Sequence, residues 1–547
     1  MPAPKVTTKG LKQDIRVISN LTSLFFIAIM AVFPLYITDS WYVLIIRNKT
    51  NFFYAVTAVF AALAIPFFIS SRFQLKDYFV KDEPRRGVAL HEWALLAFIG
   101  LTLLSSIFSA YQDTVWTGFY LPGAGGRYEG FWAFLCYIAT FFFISRFYRP
   151  KSFHLFIAAG AAVIVSLYCV FQFAGWDFLS LFPFTVNDPR FIDAAGNQIY
   201  GPLSAYYRTT LGNTNVVAAY CSIAITLFTA LFSNEDSKWG YLYLAASCLS
   251  FAMLIISNGD AGKVSVLAAM VLLIPYWLSN RKRLGRILIT LSGWSAVYAL
   301  YHGYLTVYKS RADIEALPVG DRAFLVAYSP QNLIPFVVLA AVLLAAGLLL
   351  IFIVKKWPEK RAQIAGTAFL GAAVLGGLLF VEIMGRRFAD RPGNIVFEAR
   401  EILHGNLDDS YGSGRGWVWK RGLSVIPDNP MLGTGPDTFY YALGEELQQE
   451  AVAQYNVTFD KAHNTFIQIA VCLGVPALLA FLTFLAGLFV PAVKRIFKRP
   501  LLAAFAAAAF AYLVQSFFEV DMPIDKPFLW AALGVMGGEL WRDKAGA

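Results

Sequence analysis

The run DKAHNTFIQIAVCLGVPALLAFLTFLAGLFVPAV, residues 460–493, contains the change from polar to apolar sequence that decides the fold. Its first residues are polar, and the rest stays apolar for longer than the roughly 20 residues that an α-helix needs to cross a bilayer. The segment before it, 385–463, is the part of the chain richest in charged, aromatic and turn-forming residues. We therefore predict one helical membrane span over 464–493, preceded by a long polar loop.

The apolar character of this run extends over the whole chain. Of 547 residues, 58% are hydrophobic and 15% are charged, which excludes a soluble globule because no soluble core absorbs so much apolar surface. Apolar runs near 20 residues predict an all-α polytopic membrane protein with about fourteen transmembrane helices. We divide it into an N-terminal transmembrane bundle (1–384), a lid loop of three short helices (385–463) and C-terminal transmembrane helices (464–547), which together form one integral membrane domain. Asp437 is the expected N-cap of the third lid helix, and Asp460 that of the span 464–493.

Short basic turns set the expected orientation. Segments such as NRKRLGR (280–286) and VKRIFKRP (493–500) concentrate Lys and Arg on one side of the predicted bundle, and short cationic loops stay in the cytoplasm. Both termini are then cytoplasmic and the lid loop is outside. The net charge of +10 follows from this topology, so we expect membrane lipids as neighbours and no nucleic acid. All five cysteines fall inside predicted spans, which disfavours disulfides and cysteine metal sites.

His463 is the first candidate for chemistry. We expect it in the first turn of the span 464–493, where the helix dipole and the free backbone amides disfavour the imidazolium form. A neutral imidazole can accept a proton. Asn464 and Gln468 add polar groups on one helical face, and we expect them to contact the substrate. The alternative is an interfacial histidine that only anchors the helix end. Both interpretations stay open on these residues alone.

Arg415 is the second candidate, in the loop sequence SGRGWVWKRG (413–422). The planar fork of arginine suits pyrophosphate oxygens, and a neighbouring indole such as Trp417 suits the face of a sugar. The alternative is a solvated arginine, or one stacked on an indole, in a loop helix.

Three more cations lie near predicted external helix ends, namely Arg127, Arg208 and Lys263. Together they would form a basic external rim that fits an anionic lipid-linked substrate. Anchoring to lipid headgroups explains the same residues nearly as well.

Motifs of other enzyme classes are missing from the sequence. It contains no HExxH, no Walker loop, no nucleophile elbow and no external cluster at metal-ligand spacing, so we expect no metal and no cofactor. The buried acids Glu382, Glu519 and Asp521 lie near external span ends, which gives little support to a proton relay through the membrane.

Three stretches of the C-terminal third carry a family resemblance: SGRGWVWKRGLSVIPDNPMLGTGPDTF (413–439), AHNTFIQIAVCLGVPALLAFL (462–482) and FFEVDMPIDKPFLWAALGVMGG (517–538). With GNTNVVAAYCSIA (212–224), they resemble the bacterial superfamily of O-antigen ligases and polymerases, which includes O-oligosaccharyltransferases. The resemblance implies a glycosyltransferase C-like fold in the cytoplasmic (inner) membrane. It also implies metal-independent transfer of a glycan from undecaprenyl pyrophosphate to an acceptor hydroxyl on the extracytoplasmic face.

The same resemblance implies roles for the two candidates. His463 corresponds to the family's essential histidine, acting as general base on the acceptor, and Arg415 to its loop arginine, gripping the departing pyrophosphate. The chain departs from the family where a Ser-Arg-Gly motif is usual, because it has Asp260 and Lys263 there. Lys263 and Arg208 therefore both remain open as the second cation on the pyrophosphate.

Several functions remain to be distinguished. Ligase and polymerase differ in their acceptor, which could be a glycan, a lipid or a protein. The alternative from another class is a transporter or flippase of lipid-linked glycans, which would need broken helices, mid-membrane charge or inverted repeats that the sequence does not show. A membrane scaffold would leave the dense chemistry of the lid loop unexplained.

Overall fold

Helices dominate the computed structural model, which describes residues 8–39, 42–70, 89–121, 125–181, 192–205, 209–389 and 393–545. The helices up to the lid loop are α1 (Thr8–Ile27), α2 (Tyr42–Ser70), α3 (Leu90–Phe108), α4 (Gln112–Val115), α5 (Phe131–Phe147), α6 (Ser152–Phe173), α7 (Thr214–Phe232), α8 (Gly240–Ser257), α9 (Asp260–Leu272), α10 (Ile274–Leu278), α11 (Arg281–Arg311), α12 (Val319–Ala327), α13 (Ile334–Phe352) and α14 (Glu359–Arg387). The later helices are α15 (Ile395–Leu403), α16 (Tyr411–Val425), α17 (Phe439–Tyr455), α18 (Thr465–Leu473), α19 (Val475–Val493), α20 (Pro500–Gln515) and α21 (Lys526–Ala545).

A few short elements complete this order. α1 continues through a π-helical stretch, Ala28–Val32, into the short segment Phe33–Leu35. Within the described ranges, 3₁₀ turns lie at Thr209–Leu211, Ile314–Ala316 and Ile426–Asp428. The strands β1 (Tyr120–Leu121) and β2 (Gly125–Gly126) pair antiparallel, with Tyr120 opposite Gly126.

Nine helices among the described residues are long and apolar enough to cross a membrane, and α5 and α20 are shorter apolar helices. The protein is therefore a helical polytopic membrane protein, as the composition predicts. The count of about fourteen spans remains a prediction. One of the apolar runs behind this count, 263–279, is divided between α9 and α10, and α11 is long but too polar to meet the same criterion.

The interior of the bundle is built around α7, which is buried along 94% of its span. Small residues let α8, α9 and α20 pack closely around it. Its buried hydroxyls find partners on these neighbours: Ser222 bonds Ser265 at 2.7 Å, and Thr229 bonds Ser247 at 2.8 Å. By contrast, only 6% of the spans of α13 and α14 is buried, so their apolar surfaces face outward, as helices in contact with lipid do.

The predicted single span over 464–493 is wrong, because the chain breaks at Gly474 into α18 and α19. Gly474 has φ +87°, a conformation that glycine adopts without the cost of a Cβ. The lid loop 430–435 supplies partners for the backbone groups that the break releases. Val475 N–H donates to the Pro430 carbonyl at 2.8 Å, and Gly435 N–H donates to the Cys472 carbonyl at 2.8 Å. Hydrophobicity alone gives no sign of this break, since both halves are apolar.

The lid contains the three helices predicted for it, α15, α16 and α17, but two predicted helix caps are wrong. Thr438, not Asp437, precedes α17, and Asn464, not Asp460, caps α18. Both aspartates are engaged elsewhere. The Asp437 carboxylate accepts the backbone N–H groups of Phe119 at 2.7 Å and Glu129 at 3.0 Å, and Asp460 pairs with an arginine.

We expect Gly474→Ala to destabilise the protein by roughly 1–3 kcal/mol, because alanine is strained at this φ. A Cβ would also lie 2.5 Å from the Met431 carbonyl oxygen. Gly371→Ala in α14 is the matched control, since a Cβ there meets nothing within 4 Å. Thermal or denaturant unfolding in detergent compares the two variants, and equal stabilities would contradict the role of Gly474.

Candidate active site

A buried cluster of charges joins four separate segments at the lid end of the bundle. Lys461 Nζ lies 2.6 Å from Glu129 Oε2 and 2.7 Å from Asp437 Oδ1, and Lys526 Nζ lies 2.5 Å from Glu129 Oε1. Burial disfavours the charged lysine, but the two carboxylates outweigh it and raise the pKa of Lys461. The two lysines likewise overcome the effect of burial and lower the pKa of Glu129. Breaking such a pair leaves a buried charge without compensation, so the cluster fixes all four segments.

His463 lies two residues after Lys461, in a tight turn and not in a helix as predicted. Its φ is +51°, and it precedes the cap residue of α18. Asn464 accepts the N–H groups two and three residues ahead, at 2.9 and 3.1 Å. Gln468 Oε1 accepts the N–H of Ala462 at 2.8 Å. The side-chain oxygens of Asn464 and Gln468 thus hold the turn that presents His463. Contact of these two residues with substrate stays a prediction.

The imidazole of His463 is neutral, and two arginines contribute to this. Burial first, and then the positive charges of Arg415 and Arg127, lower its pKa to about 3, against the opposing effect of Asp460. The neutral form agrees with the sequence prediction, although the causes are burial and neighbouring cations in place of a helix dipole. Its Nδ1 is shielded from solvent and has no hydrogen-bond partner in the described part of the chain.

Arg415 reaches from α16 of the lid to the segment between α20 and α21. Its Nη2 donates to Glu519 Oε1 at 2.7 Å, and its Nη1 donates to the Gly412 carbonyl at 2.9 Å. Glu519 is only 6% exposed, and burial raises its pKa in spite of Arg415. Arg415 Nε and Glu519 Oε2 are buried and find no partner within the residues that the structure describes.

Arg127 forms a second arginine–carboxylate pair in this region. Its Nε and Nη2 donate to the two oxygens of Asp460, at 2.8 and 3.1 Å. Burial opposes the charged guanidinium, but Asp460 outweighs it and raises the pKa of Arg127. The sequence indicated Arg127 only as part of a basic rim, and the structure brings it close enough to His463 to affect its pKa.

Trp417, expected to stack on a sugar, is instead a packing residue of the lid. Its side chain is fully buried and stacks on the Phe459 ring, with centroids 5.4 Å apart. Its Nε1 donates to Glu450 at 2.8 Å, and the guanidinium of Arg421 lies over its ring. The SGRGWVWKRG pattern does not show that Arg415 faces the site while Trp417 faces the lid core, because both residues lie on one helix.

Lys263 and Arg208 were the two candidates for the second cation on the pyrophosphate. Lys263 is half-exposed at the start of α9, where its Nζ lies 2.8 Å from Asp260 Oδ1 and 2.9 Å from Asn258 Oδ1. Asp260 contributes to the raised pKa of Glu519, so this helix end lies on the Arg415 side of the site. Arg208 lies outside the described residues.

Glu519 and Asp460 are the site residues that sequence reasoning missed. Glu519 was noted only as an acid near a span end, and Asp460 was taken for a helix cap. The sequence did contain a signal for Glu519. This acid lies near the start of the third stretch of the family resemblance, and its neighbours on both sides, in FFEV, are apolar. An acid in such surroundings needs a partner, and Arg415 supplies it.

The arrangement combines a neutral base with two guanidinium groups. His463 Nδ1 can accept a hydrogen bond from a hydroxyl and then its proton. Arg415 and Arg127 present planar forks that suit phosphate oxygens. The buried polar atoms without partners mark a place where a polar substrate would complete the hydrogen bonding.

Residues 336–482 match the family model described as O-antigen ligase. The matched range runs from α13 into α19 and contains the whole lid, including Arg415 and His463. It confirms the family resemblance of the stretches 413–439 and 462–482, whereas the stretches 212–224 and 517–538 lie outside the match. No curated protein matches the chain.

We expect Lys461→Met to lower the free energy of unfolding by roughly 3–5 kcal/mol, because Glu129 and Asp437 would be left buried with less compensation. Lys420→Met is the matched control. Lys420 pairs with Asp409 at 2.8 Å but is 38% exposed, so we expect a loss below about 1 kcal/mol. Unfolding in detergent measures both variants, and a similar small loss for both would show that the cluster does not hold the fold.

The low pKa of His463 predicts an imidazole that stays neutral as the pH falls well below the usual histidine value of about 6.5. The chain has only five histidines, so isotope-labelled imidazole signals can be assigned by comparison with His463→Gln. We expect the signal that this variant lacks to stay at its neutral position from pH 7.5 to about pH 4.5. A transition near pH 6.5 would contradict the electrostatics described for the site.

Proposed function

We propose that this chain, which belongs to the O-antigen ligase superfamily through residues 336–482, transfers a glycan from undecaprenyl pyrophosphate to an acceptor hydroxyl. The family match supports the coarser part of this statement, namely that the chain is a membrane-embedded enzyme of the ligase or polymerase kind. The donor, the acceptor and the absence of a metal requirement are our proposal. The observation that carries it is the neutral His463, with a free Nδ1, in the field of two arginines.

In the proposed reaction, Arg415 and Arg127 bind the diphosphate of the donor, and His463 Nδ1 accepts the hydrogen bond of the acceptor hydroxyl. The bond between the anomeric carbon and the phosphate oxygen breaks while the acceptor oxygen bonds to that carbon. The hydroxyl proton passes to His463, and the leaving diphosphate keeps the bonding electrons. General base catalysis contributes about 10²–10⁴ in rate, and stabilisation of the leaving group adds a comparable factor.

A histidine with a pKa of about 3 is a weak base, and donor binding would correct this. Arg415 and Arg127 are among the causes of the low value. A diphosphate bound to their guanidinium groups adds negative charge near the ring and so raises the pKa of His463. The base then becomes effective only when the donor is present, and this order of events disfavours premature activation of an acceptor.

The site also supports a choice of the second cation. Lys263 acts as a point charge held by Asp260 and Asn258. Arg127 gives Nε and Nη2 to Asp460, but its Nη1 contacts only the weakly accepting sulfur of Met522, at 3.8 Å, and its charge contributes to the low pKa of His463. We therefore assign the second phosphate contact to Arg127. Lys263 and Arg208 would serve at the rim of the donor site.

The placement in the cell is part of the proposal. We place the chain in the cytoplasmic membrane of a bacterium, with both termini in the cytoplasm and the lid on the outer side, because Lys and Arg favour the opposite ends of the helices. The three-part division at residues 385 and 464 and the glycosyltransferase C-like fold belong to the same proposal. The acceptor remains a glycan, a lipid or a protein.

We expect His463→Ala and Arg415→Ala each to lower glycan transfer by at least about 10²-fold, because each removes a group that acts in the transition state. His404→Ala and Arg386→Ala are the matched controls in or beside the lid, since both side chains are more than half exposed and contact Glu382. Transfer by the purified protein is measured in EDTA, because the proposed mechanism uses no metal.

Wild-type-like transfer by either site variant would disprove the role of that residue, and loss of activity in EDTA would disprove metal independence.

The alternative function, a transporter or flippase, gives a different result. It predicts movement of the lipid-linked glycan across liposomes without a new glycosidic bond. The break at Gly474 removes one argument against that alternative, but the backbone groups at the break are bonded to the lid loop and not left for a substrate.

A further inference from the structure

The contact between Arg415 and Glu519 occupies the guanidinium that the proposed reaction requires. Nη2 of Arg415 donates to Glu519 Oε1 at 2.7 Å, in the direction in which it would donate to a phosphate oxygen. Carboxylate and phosphate oxygens accept from an arginine fork in the same geometry. An N–H that donates to Glu519 is not available to a phosphate oxygen, so a diphosphate that binds the Nη2 edge of the guanidinium competes with Glu519 for that edge.

Glu519 is poorly satisfied for a buried acid. It is 6% exposed, and its Oε2 has no hydrogen-bond partner among the described residues. Asp521 and Asp260 add negative charge around it, and both contribute to its raised pKa. Most buried polar atoms in native proteins have a hydrogen-bond partner, so the free Oε2 calls for an explanation beyond the stability of the fold. The pairing with Arg415 is therefore one that another anion can replace.

The neighbouring pair differs in this respect. Asp460 receives two hydrogen bonds from Arg127, one on each oxygen, at 2.8 and 3.1 Å. Arg415 gives Glu519 only one, and its own Nε is left without a partner in the part of the chain that the structure describes. A two-pronged pair is harder to open than a single hydrogen bond. This difference identifies Glu519, and not Asp460, as the displaceable carboxylate.

We propose that Glu519 is a positioning residue that holds Arg415 in place of the donor's phosphate and then competes with the diphosphate product, so that the product is released. The inference rests on the function proposed above. Donor and product carry the same two phosphate groups, so a site that binds the donor through phosphate binds the product as well. An internal carboxylate that returns to Arg415 weakens both complexes and limits inhibition by undecaprenyl pyrophosphate.

The test is Glu519→Gln, which keeps an oxygen acceptor for Arg415 and removes the negative charge. We expect undecaprenyl pyrophosphate to bind the full-length variant in lipid nanodiscs about tenfold more tightly than the wild type, a change of the size that one charge pair produces. Product inhibition of transfer should become stronger by a similar factor, and the KM for the donor should fall. A residue with only a structural role would raise the Kd or leave it the same.

Glu450→Gln is the matched control, because Glu450 is a lid carboxylate whose Oε1 pairs with Arg421 at 2.6 Å and with the Trp417 indole. We expect it to bind undecaprenyl pyrophosphate with the wild-type Kd, and equal tightening in both variants would overturn the proposal. If Glu519→Gln does not fold, Glu519→Asp decides. Its shorter side chain keeps the charge but loosens the contact, so a Kd below that of the wild type supports competition and an unchanged or higher Kd refutes it.

The outcomes for the two proposals can be told apart. If the wild type does not bind undecaprenyl pyrophosphate, or binds it no better than undecaprenol, the proposed function fails. If the wild type binds the diphosphate and Arg415→Ala weakens that binding, but Glu519→Gln does not strengthen it, only the role of Glu519 is wrong.

Discussion

The pairing of Lys461 with Glu129 and Asp437 is the constraint on which the site depends. Lys461 is buried and carries its charge between two carboxylates, so separating the three residues would leave buried charges without compensation, at a large cost. They come from three distant parts of the chain, and Lys526 adds a fourth. Because Lys461 precedes His463 by two residues, this cluster determines where the imidazole lies relative to the bundle.

The lid and the membrane helices are interdependent. The break at Gly474 leaves backbone groups that need partners, and the lid loop 430–435 provides them. The lid in turn is tied to the bundle through this loop and through Asp437. α16 packs on α18, so the helix that carries Arg415 rests on the helix that follows His463. A short helix that ends at the break therefore allows lid and bundle residues to share one site.

Charge balance gives the site its chemical character. Two guanidinium groups are each matched by one carboxylate, and burial together with the charges of both cations keeps His463 neutral. Under the proposal for Glu519, the diphosphate replaces this carboxylate as the partner of Arg415. Binding of the diphosphate and its release then depend on the same arginine–carboxylate contact, so under this proposal the contact affects the rate of turnover.

The sequence by itself determined that the protein is a helical membrane protein, because burying so many apolar residues requires a bilayer. It also predicted three lid helices and singled out His463 and Arg415 as candidates for chemistry. Periodicity and local motifs carry this information, since helix formation and membrane insertion depend on nearby residues. The sequence also suggested Trp417, Asn464 and Gln468 as substrate contacts, whereas the structure uses them for packing and for holding a turn. Only the tertiary structure decided that Glu519 meets Arg415, that Asp460 meets Arg127 and that the span breaks at Gly474. These contacts join residues far apart in the chain, and the free energy that selects them comes from burial and charge compensation, which no local pattern records.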